Sequence, residues 1–367
     1  MILAENLIQT LKKNGVNFFT GVPDSILKNF SINLESYKKN HHVIASNEGS
    51  AISMGIGYYL STKKMPCIYL QNSGLSNAIN PLISIASKQV YSIPLFLIIG
   101  WRGAPKKPDE PQHVAKGKIT RELLKLLNIK YCILRKKKDL LKLNKIINKA
   151  KKTKNVVACL VEKDTIFTKK KSIKKKSSNL ILRSDFIKEF LNIIPKKSKI
   201  ISTTGYTSRE LMEVRKKNRN TNGKDFYMVG GMGHSSSVAA GFALHSKKMT
   251  FCLDGDGSVL MHLGALRTIG YLQNKNLKHV VLNNNVHESV GGQITTAAGI
   301  NFKDLSHSLG YKSYLKIKSK KEIKILLKKF IKLNGPCLLE VQIKSGTLKR
   351  LSRPKNFLKI KDNFMAW

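Results

Sequence analysis

Two apolar strands that each end in a polar cluster constrain the fold of this chain more than any other stretch. The first strand runs through residues 251–255 into Asp256, and the second runs from residue 278 into Asn284. Residues 260–273, between them, carry apolar side chains at helical spacing. This order of strand, glycine turn, helix and strand predicts neighbouring parallel strands, so we expect Asp256 and Asn284 side by side at their carboxyl ends.

These strand ends are also a predicted ligand site. A carboxylate, an amide oxygen and a backbone carbonyl that converge there form the hard oxygen site that Mg²⁺ prefers. Gly257 and Ser258 begin the following helix, whose free amides and positive dipole end attract phosphate oxygens. The spacing therefore predicts one site for a metal ion and a diphosphate group. The alternative is a tight strand-to-helix turn followed by an asparagine-rich loop without a ligand.

Helical and extended patterns alternate along the rest of the chain, for example a predicted helix over residues 77–88 and a predicted strand over residues 93–100. This alternation predicts an α/β protein with parallel sheets. The alternation is interrupted by a stretch rich in Lys and Ser and restarts near residue 184. We therefore expect a domain of residues 1–166, an exposed basic linker of residues 167–179 and a domain of residues 180–367. A chain of 367 residues has room for two ordinary domains but not for a third.

The chain is strongly basic, with 66 Lys and Arg against 22 Asp and Glu and a formal charge of +44. Such a balance is compatible with nucleic-acid binding. The lysines, however, are spread along the chain, and their densest runs fall at a predicted helix start and in the predicted linker. We therefore expect a solvated surface that attracts an anionic substrate, and no nucleic-acid partner.

The cysteines and the apolar runs indicate the cellular compartment in which the protein is expected. Five scattered cysteines without a CxxC pair predict reduced thiols rather than disulfides or a zinc site, and Cys132 and Cys252 are expected in the core. The longest apolar run, residues 93–100, is far shorter than the roughly 20 residues of a membrane span. The first residues also lack the features of a signal peptide. We expect a cytoplasmic protein without membrane contact.

The paired clusters identify a family resemblance. Gly-Asp-Gly at residues 255–257, followed at this distance by Asn284, resembles the motif of the thiamine diphosphate-dependent decarboxylase superfamily. The resemblance implies a pyrimidine-binding first domain, a diphosphate-binding second domain, no middle domain, and thiamine diphosphate with Mg²⁺ as cofactors. It also implies that the metal ligands are the side chains of Asp256 and Asn284 and the carbonyl of Val286. The residues expected at the diphosphate end are Gly205, Gly255, Asp256, Gly257, Ser258 and Asn284.

Two further stretches match this resemblance. Glu48 begins an apolar helix, and by resemblance it hydrogen-bonds the pyrimidine ring and promotes loss of the thiazolium C2 proton. A carboxyl that shares a proton in this way needs a pKa raised by burial; the alternative is a plain helix N-terminal acid. In the glycine turn at residues 228–235, Gly230 is implied to contact the pyrimidine amino group and Met232 to bend the cofactor. The alternative for Met232 is a core methionine.

Motifs in the first domain narrow the resemblance. Together with residues 287–293, the stretches 20–25, 71–81 and 100–113 resemble the phosphonopyruvate decarboxylases and the related sulfopyruvate decarboxylases. This implies a small anionic 2-oxo acid substrate and conversion of 3-phosphonopyruvate into phosphonoacetaldehyde and CO₂, in phosphonate biosynthesis. The fusion of both domains in one chain favours phosphonopyruvate over sulfopyruvate. Sulfopyruvate decarboxylase, which forms sulfoacetaldehyde, is the first alternative, and a non-catalytic basic binding protein on the same fold is the second.

The resemblance also leads to expectations for substrate contacts and assembly. Candidates for proton transfer are Asp24, His113 and His287. Arg102, Arg350 or Arg353 is expected to clamp the substrate's phosphonate, and Arg102, beside a glycine in a loop after a strand, is the first choice. The superfamily pattern implies a homodimer or higher homo-oligomer, with each cofactor between the first domain of one subunit and the second domain of its partner.

Overall fold

A computed structural model describes residues 1–169, 180–217 and 225–366. The chain divides into two compact units, Met1–Lys174 with His287–Ile294 and Lys175–Val286 with Thr295–Trp367. Most of the predicted linker, residues 170–179, lies outside the described residues. Two details differ from the expected division. Phe167 belongs to a strand rather than to a linker, and residues 287–294 group with the first unit.

The first unit is built on a parallel sheet. Its strands are β1 (Ile2–Leu3), β2 (Phe19–Gly21), β3 (His42–Ile44), β4 (Cys67–Gln71), β5 (Phe96–Gly100), β6 (Lys130–Leu134), β7 (Val157–Val161) and β8 (Ile166–Phe167). Six of them form one parallel sheet in the order β3-β2-β4-β5-β7-β6, and β1 pairs with β8 separately.

Helices cover both faces of this sheet. They are α1 (Ala4–Lys13), α2 (Lys28–Leu34), α3 (Glu48–Thr62), α4 (Leu75–Pro81), α5 (Pro111–Leu126) and α6 (Leu140–Thr153). Successive residues of a strand point to opposite faces, so Cys67 and Tyr69 pack with α1, α2 and α6, while Ile68 and Leu70 pack with α3, α4 and α5. The carboxyl ends of β2, β3, β4 and β5 lie at one edge of the sheet because the strands are parallel.

Prolines and the sheet edge explain three differences from the sequence pattern in this unit. The helix predicted over residues 77–88 ends as α4 at Pro81 and continues as a π-helical turn, Leu82–Ala86, because proline disrupts the helical hydrogen bonding. The strand predicted from residue 93 begins at Phe96, after Pro94, which has no amide to donate. Cys132, expected in the core, is only partly buried because β6 is an edge strand.

The second unit repeats this design. Its strands are β9 (Ile181–Leu182), β10 (Lys199–Ser202), β11 (Phe226–Tyr227), β12 (Thr250–Gly255), β13 (Leu277–Asn283), β16 (Ser313–Ile317) and β17 (Cys337–Lys344). Two short strands, β14 (Val286–His287) and β15 (Gln293–Ile294), form a separate sheet, and β15 lies in the residues that group with the first unit. The parallel order is β11-β10-β12-β13-β17-β16, and β9 pairs with β17. The pairing of β12 with β13, from Thr250↔Leu277 to Gly255↔Leu282, confirms the predicted parallel neighbours.

The helices of the second unit complete the α/β pattern. They are α7 (Arg183–Ile193), α8 (Tyr206–Lys217), α9 (Ser235–Leu244), α10 (Asp256–Met261), α11 (Gly264–Leu272), α12 (Phe302–Ser308), α13 (Ile323–Lys332) and α14 (Phe357–Met365). The single helix predicted over residues 260–273 is two helices, interrupted at His262 and Leu263. The sequence pattern did not predict α12, β16 or α14. In the described ranges, no helix has both the length and the apolar character needed to cross a membrane.

Candidate functional site

The predicted metal ligands of the second unit lie together at the ends of β12 and β13. Asp256 begins α10 and is 3% exposed. Its carboxylate accepts hydrogen bonds from Thr295 Oγ1 at 2.5 Å and from the backbone amide of Asn284. Burial raises the pKa of Asp256 to about 6, although these hydrogen bonds act in the opposite direction. A cation beside this buried carboxylate would offset the cost of burying its charge.

The turn after β13 shapes the rest of this cluster. Asn284 Oδ1 accepts a hydrogen bond from the amide of Val286 at 3.1 Å, and Asn285 between them adopts a left-handed conformation with φ of 57°. The turn therefore holds the amide side chain of Asn284 against the backbone of Val286. A carboxylate, an amide oxygen and backbone carbonyls are available here, and this set of hard oxygen donors fits Mg²⁺.

The start of α10 has open space beside Gly255. Gly255 caps the helix, and a Cβ built on it would meet no atom within 4 Å. Gly257 is buried in the first turn. Ser258, expected to bind the diphosphate, accepts a hydrogen bond from the amide of Gly233 at 3.1 Å and lies 3.0 Å from Thr203 Oγ1. The hydroxyl of Ser258 therefore links α10 to Thr203 and Gly233, while Gly255 leaves open space for a ligand.

The glycine turn at residues 228–235 packs against the same helix. Gly231 and Gly233 adopt positive φ angles of 68° and 88°. A Cβ on Gly233 would lie 2.5 Å from His262 Cδ2, so only glycine allows this close approach. Gly230 and Met232 are both half-buried, so the Met232 side chain is partly open to solvent instead of sealed in the core. Gly205, with φ of 88°, lies in the turn before α8.

A buried polar column next to the predicted metal ligands was missed by the sequence analysis. Asp254 Oδ2 lies 3.5 Å from His279 Nε2, and His279 Nδ1 lies 2.9 Å from the hydroxyl of Tyr311. All three side chains are at most 2% exposed. Burial raises the pKa of Asp254, but His279 and the hydrogen bonds to this carboxylate hold it below its ordinary value. Charged or polar residues inside two otherwise apolar strands were the available signal.

Asp254 also contacts the backbone next to the predicted metal ligand Asp256. Its Oδ1 accepts a hydrogen bond from the amide of Gly255 at 2.9 Å, and its carboxylate also bonds the hydroxyl of Ser258. These two bonds fix the residues on either side of Asp256. The column therefore supports the turn that presents the predicted metal ligand.

In the first unit, Glu48 occupies a dry and closely fitted pocket. It begins α3 after the cap residue Asn47 and is 5% exposed. Its Oε2 accepts a hydrogen bond from Asn77 Nδ2 at 2.9 Å, and a Cβ on Gly74 would lie only 1.9 Å from Oε1. Burial raises the pKa of Glu48, against opposing effects from Asn77 and Lys116. A buried carboxyl with a raised pKa is the property that the predicted role requires.

Asp24 follows β2 and is fully buried. Its Oδ2 accepts hydrogen bonds from the amides of Ile26 and Leu27 at 3.0 and 3.1 Å, and its Oδ1 accepts one from Gln71 Nε2 at 2.5 Å. A Cβ on Gly100 would lie 2.0 Å from Oδ2. Burial raises the pKa of Asp24, while these bonds lower it. The carboxylate therefore holds the turn before α2 together.

Arg102, the predicted anion clamp, is engaged by an acid of its own unit. Its Nε and Nη2 donate to the two oxygens of Asp109 at 2.7 and 2.5 Å. Its Nη1 donates to Ser25 Oγ at 3.2 Å, and Glu110 lies 3.6 Å from Nη2. The guanidinium therefore already has a bidentate carboxylate partner, which sequence reasoning did not anticipate.

The two candidate histidines are neutral at physiological pH. Burial lowers the pKa of His113 to about 4, with a further contribution from Arg102, and burial alone lowers the pKa of His287 to about 4. His113 Nδ1 has no hydrogen-bond partner among the described residues. The segment that begins with His287 is anchored in the first unit by Gln293, which is 1% exposed and donates to Ser31 Oγ at 3.1 Å.

The structure therefore collects the predicted residues into two groups. Asp24, Glu48 and Arg102 follow the carboxyl ends of β2, β3 and β5 in the parallel sheet of the first unit. Asp256 and Asn284 do the same in the second unit. In both units these are the sheet edges at which α/β proteins bind ligands.

Known proteins share these features. Residues 1–129 match the family described as thiamine pyrophosphate enzyme, N-terminal TPP binding domain, and residues 203–341 match its C-terminal TPP binding domain. A phosphonopyruvate decarboxylase from Streptomyces viridochromogenes is 31% identical over 97% of this chain and 92% of its own. A sulfopyruvate decarboxylase from Methanosarcina acetivorans is 27% identical over 93% of this chain and 91% of its own.

A third relative matches a part of the chain. The sulfopyruvate decarboxylase subunit beta of Methanocaldococcus jannaschii is 33% identical over 42% of this chain and 87% of that subunit. The matches to both cofactor-binding domains and the nearly full-length similarity agree with the geometry of the two strand-end clusters. The chain belongs to the thiamine pyrophosphate enzyme family and is a thiamine diphosphate-dependent carboxy-lyase related to the phosphonopyruvate decarboxylases.

Proposed function

We propose that this enzyme converts 3-phosphonopyruvate into phosphonoacetaldehyde and CO₂, with thiamine diphosphate and Mg²⁺ as cofactors, in phosphonate biosynthesis. The observation that carries the proposal is the 31% identity to a phosphonopyruvate decarboxylase over 97% of the chain. The unpaired cysteines of the protein agree with our further proposal that it works in the cytoplasm, where thiols stay reduced.

Bound thiamine diphosphate supplies a thiazolium that takes up the electron pair left behind when CO₂ departs. We propose that Asp256 and Asn284 bind Mg²⁺ through their side chains and Val286 through its carbonyl. The open space at Gly255 and the amides of Gly257 and Ser258 support a diphosphate at the start of α10. Gly205, in the turn before α8, is proposed to face the same diphosphate.

Glu48 is proposed to share a proton with the pyrimidine ring. Its burial and raised pKa support this role, because a carboxyl that is easily protonated can pass a proton back and forth. Asn77 and Gly74 hold the carboxyl in one orientation. We propose that Gly230 accepts a hydrogen bond from the pyrimidine amino group through its carbonyl. The partly exposed side chain of Met232 is proposed to support the bent cofactor.

We propose that residues of the first unit contact the substrate. Since Asp109 occupies Nε and Nη2 of Arg102, Nη1 beside Ser25 is the donor that we propose for the phosphonate. His113 and His287 are neutral and are proposed to accept and return protons during the reaction. Asp24, whose oxygens accept three hydrogen bonds, is proposed to act through Gln71.

We propose a homodimer or higher homo-oligomer in which each cofactor lies between the first unit of one subunit and the second unit of its partner. The resemblance to the superfamily supports this arrangement. Apolar residues on α3 and the adjoining π-helical turn are also exposed: Met54 at 38%, Leu60 at 67% and Ile83 at 46%. An apolar surface on the helix that carries Glu48 is typical of a subunit contact.

Sulfopyruvate is the second candidate substrate. The sulfopyruvate decarboxylase of Methanosarcina acetivorans aligns with 93% of this chain, so the presence of both domains in one chain does not discriminate between the two substrates. This removes the argument from domain fusion. The non-catalytic alternative would predict loss of Glu48, Asp256 or Asn284, and all three are present.

Steady-state rates on 3-phosphonopyruvate, 3-sulfopyruvate and pyruvate test the proposal. We expect kcat/KM for 3-phosphonopyruvate to exceed the other values by at least about tenfold, which corresponds to about 1.4 kcal/mol of transition-state binding. The Glu48→Gln variant is the control for background decarboxylation. A preference for sulfopyruvate, or no turnover of either anion by the cofactor-loaded enzyme, would refute the assignment.

A further inference from the structure

Two cysteines at the outer edge of the first sheet lie side by side. Cys132 on β6 and Cys159 on β7 are in register on neighbouring parallel strands. Residues in register on parallel strands project from the same face of the sheet. The two thiols also form a side-chain hydrogen bond with each other. They are therefore placed for chemistry that involves both sulfur atoms.

The two thiols differ in access to solvent. Cys159 is buried, as are Cys67, Cys252 and Cys337, whereas Cys132 is partly exposed. Because all five cysteines lie in the described part of the chain, Cys132 is the one thiol of this protein that a dissolved reagent reaches without unfolding. The strand β6 has a neighbour on one side only, which explains this exposure.

Cys132 also lines a basic cavity of about 590 Å³. The cavity's charged lining residues are four cations and one acid: Arg135, Lys136, Lys138, Lys142 and Asp139. Asp139 accepts hydrogen bonds from the amides of Arg135 and Lys136, both at 3.0 Å, and Arg135 pairs with Glu162 at 2.7 Å. Even with both acids counted, the cations are in excess. An excess of cations attracts small anions to this cavity.

The protonation of the pair follows from these contacts. The hydrogen bond with Cys159 lowers the pKa of Cys132, while burial and the Asp139 carboxylate raise it and Lys142 lowers it by a smaller amount. The same hydrogen bond and burial raise the pKa of Cys159. The outer sulfur therefore loses its proton more readily than the inner sulfur, which keeps its proton for donation.

We propose that Cys132 is a peroxide-reactive modification site and that Cys159 is its resolving thiol. The thiolate of Cys132 attacks one oxygen of a hydroperoxide, the O–O bond breaks, and the leaving oxygen departs as hydroxide or alkoxide. Sulfur is oxidised to the sulfenic acid and the peroxide is reduced. The sulfur of Cys159 then attacks the sulfenic sulfur, and the sulfenic oxygen leaves as water with the proton of Cys159. The resulting disulfide links the edge strand to the rest of the sheet.

Alkylation of the native holoenzyme tests the reactive thiol. With limiting iodoacetamide, peptide mapping should find Cys132 labelled at least about tenfold faster than any buried cysteine. The Lys142→Gln change should slow this labelling, whereas Lys149→Gln, an exposed site on the same helix outside the cavity, should leave it unchanged. Even labelling of all five cysteines, or first labelling elsewhere, would overturn the proposal.

Treatment with one equivalent of hydrogen peroxide tests the pair. Wild type should lose two hydrogen atoms in intact mass, with Cys132 and Cys159 in one linked peptide. The Cys159→Ala variant should stop at the sulfenic acid, which dimedone traps on Cys132, and Cys67→Ala should behave like wild type. Circular dichroism verifies that each variant is folded. If wild type forms neither the linked peptide nor a trapped sulfenic acid, the proposal is wrong whatever the variants do.

Discussion

Replacement of Glu48 by Gln tests the central chemical role with little disturbance of the structure. The carboxyl of Glu48 lies against Gly74, and a Cβ on Gly74 would approach Oε1 to 1.9 Å. The side chain at residue 48 therefore has no room to be larger. Glutamine has nearly the same shape, and its carbonyl oxygen can accept the hydrogen bond that Asn77 Nδ2 makes at 2.9 Å. The amide cannot share a proton with the pyrimidine ring. We therefore expect the fold and the cofactor affinity to survive while proton transfer fails.

The expected loss is large. General acid–base groups contribute about 10²- to 10⁴-fold, or about 3 to 5.5 kcal/mol of activation free energy. Exchange of the thiazolium C2 proton for deuterium, followed by NMR after acid quench, should slow by this factor. Calorimetry should show a cofactor Kd within about threefold of wild type, because glutamine keeps the shape of the side chain and loses only the ability to exchange a proton. Ser50→Ala, an exposed change in the first turn of α3, is the matched control. Exchange at the wild-type rate in Glu48→Gln would refute the role.

The same variant has a pH-dependent effect on stability that is independent of catalysis. Burial raises the pKa of Glu48 above its ordinary value of 4.5. Below that value the carboxyl is protonated in both folded and unfolded chains, so glutamine changes little. As the pH rises through the folded-state pKa, wild type must bury a charge and loses stability that Glu48→Gln keeps. The difference in Tm, variant minus wild type, should therefore be larger at pH 8 than at pH 4 for the cofactor-free protein. A difference that shrinks as the pH rises would contradict the raised pKa.

Three further predictions concern packing, metal and assembly. Gly74→Ala should cost about 1–3 kcal/mol in unfolding experiments because its Cβ would collide with Glu48, whereas Gly57→Ala, an exposed helical site with no atom within 4 Å of the new Cβ, should not destabilise the protein. Asp256→Ala and Asn284→Ala should weaken retention of Mg²⁺ and thiamine diphosphate together in calorimetry, and undiminished cofactor binding by wild type without Mg²⁺ would contradict the metal-linked site. Mixing inactive Glu48→Gln and Asp256→Ala chains should restore roughly a quarter of wild-type activity, because about half of the randomly exchanged dimers carry one intact site. No recovery after verified subunit exchange would exclude the shared site.

The local sequence predicted the elements that depend on local patterns. The apolar runs, the glycine turn and the helical spacing between Asp256 and Asn284 correctly predicted parallel neighbours β12 and β13. Strand and helix periodicities depend on which face of an element is buried, and this information is contained in a short window of residues. The two-domain α/β architecture followed from the same patterns, and the cofactor-binding family followed from the resemblance of the motifs to a known superfamily.

Element ends were less predictable where neighbouring elements compete with local preference. The helix predicted over residues 260–273 breaks at His262, whose ring lies against both Gly233 and His234. The break depends on contacts with the turn at residues 228–235, which a periodicity window does not include. Pro81 and Pro94, in contrast, were visible in the sequence, and their effect on α4 and β5 could have been anticipated.

The sequence by itself determined which residues could carry the chemistry, and the tertiary structure decided how they are held. Glu48 was identified from its motif, but the glycine that makes room for it and the amide that orients it became apparent only in three dimensions. The pairing of Arg102 with Asp109 and the support of Asp254 by His279 were likewise absent from the sequence pattern. The physical reason is that burial, pKa and hydrogen-bond partners depend on side chains that are distant along the chain and meet only when the sheets are assembled.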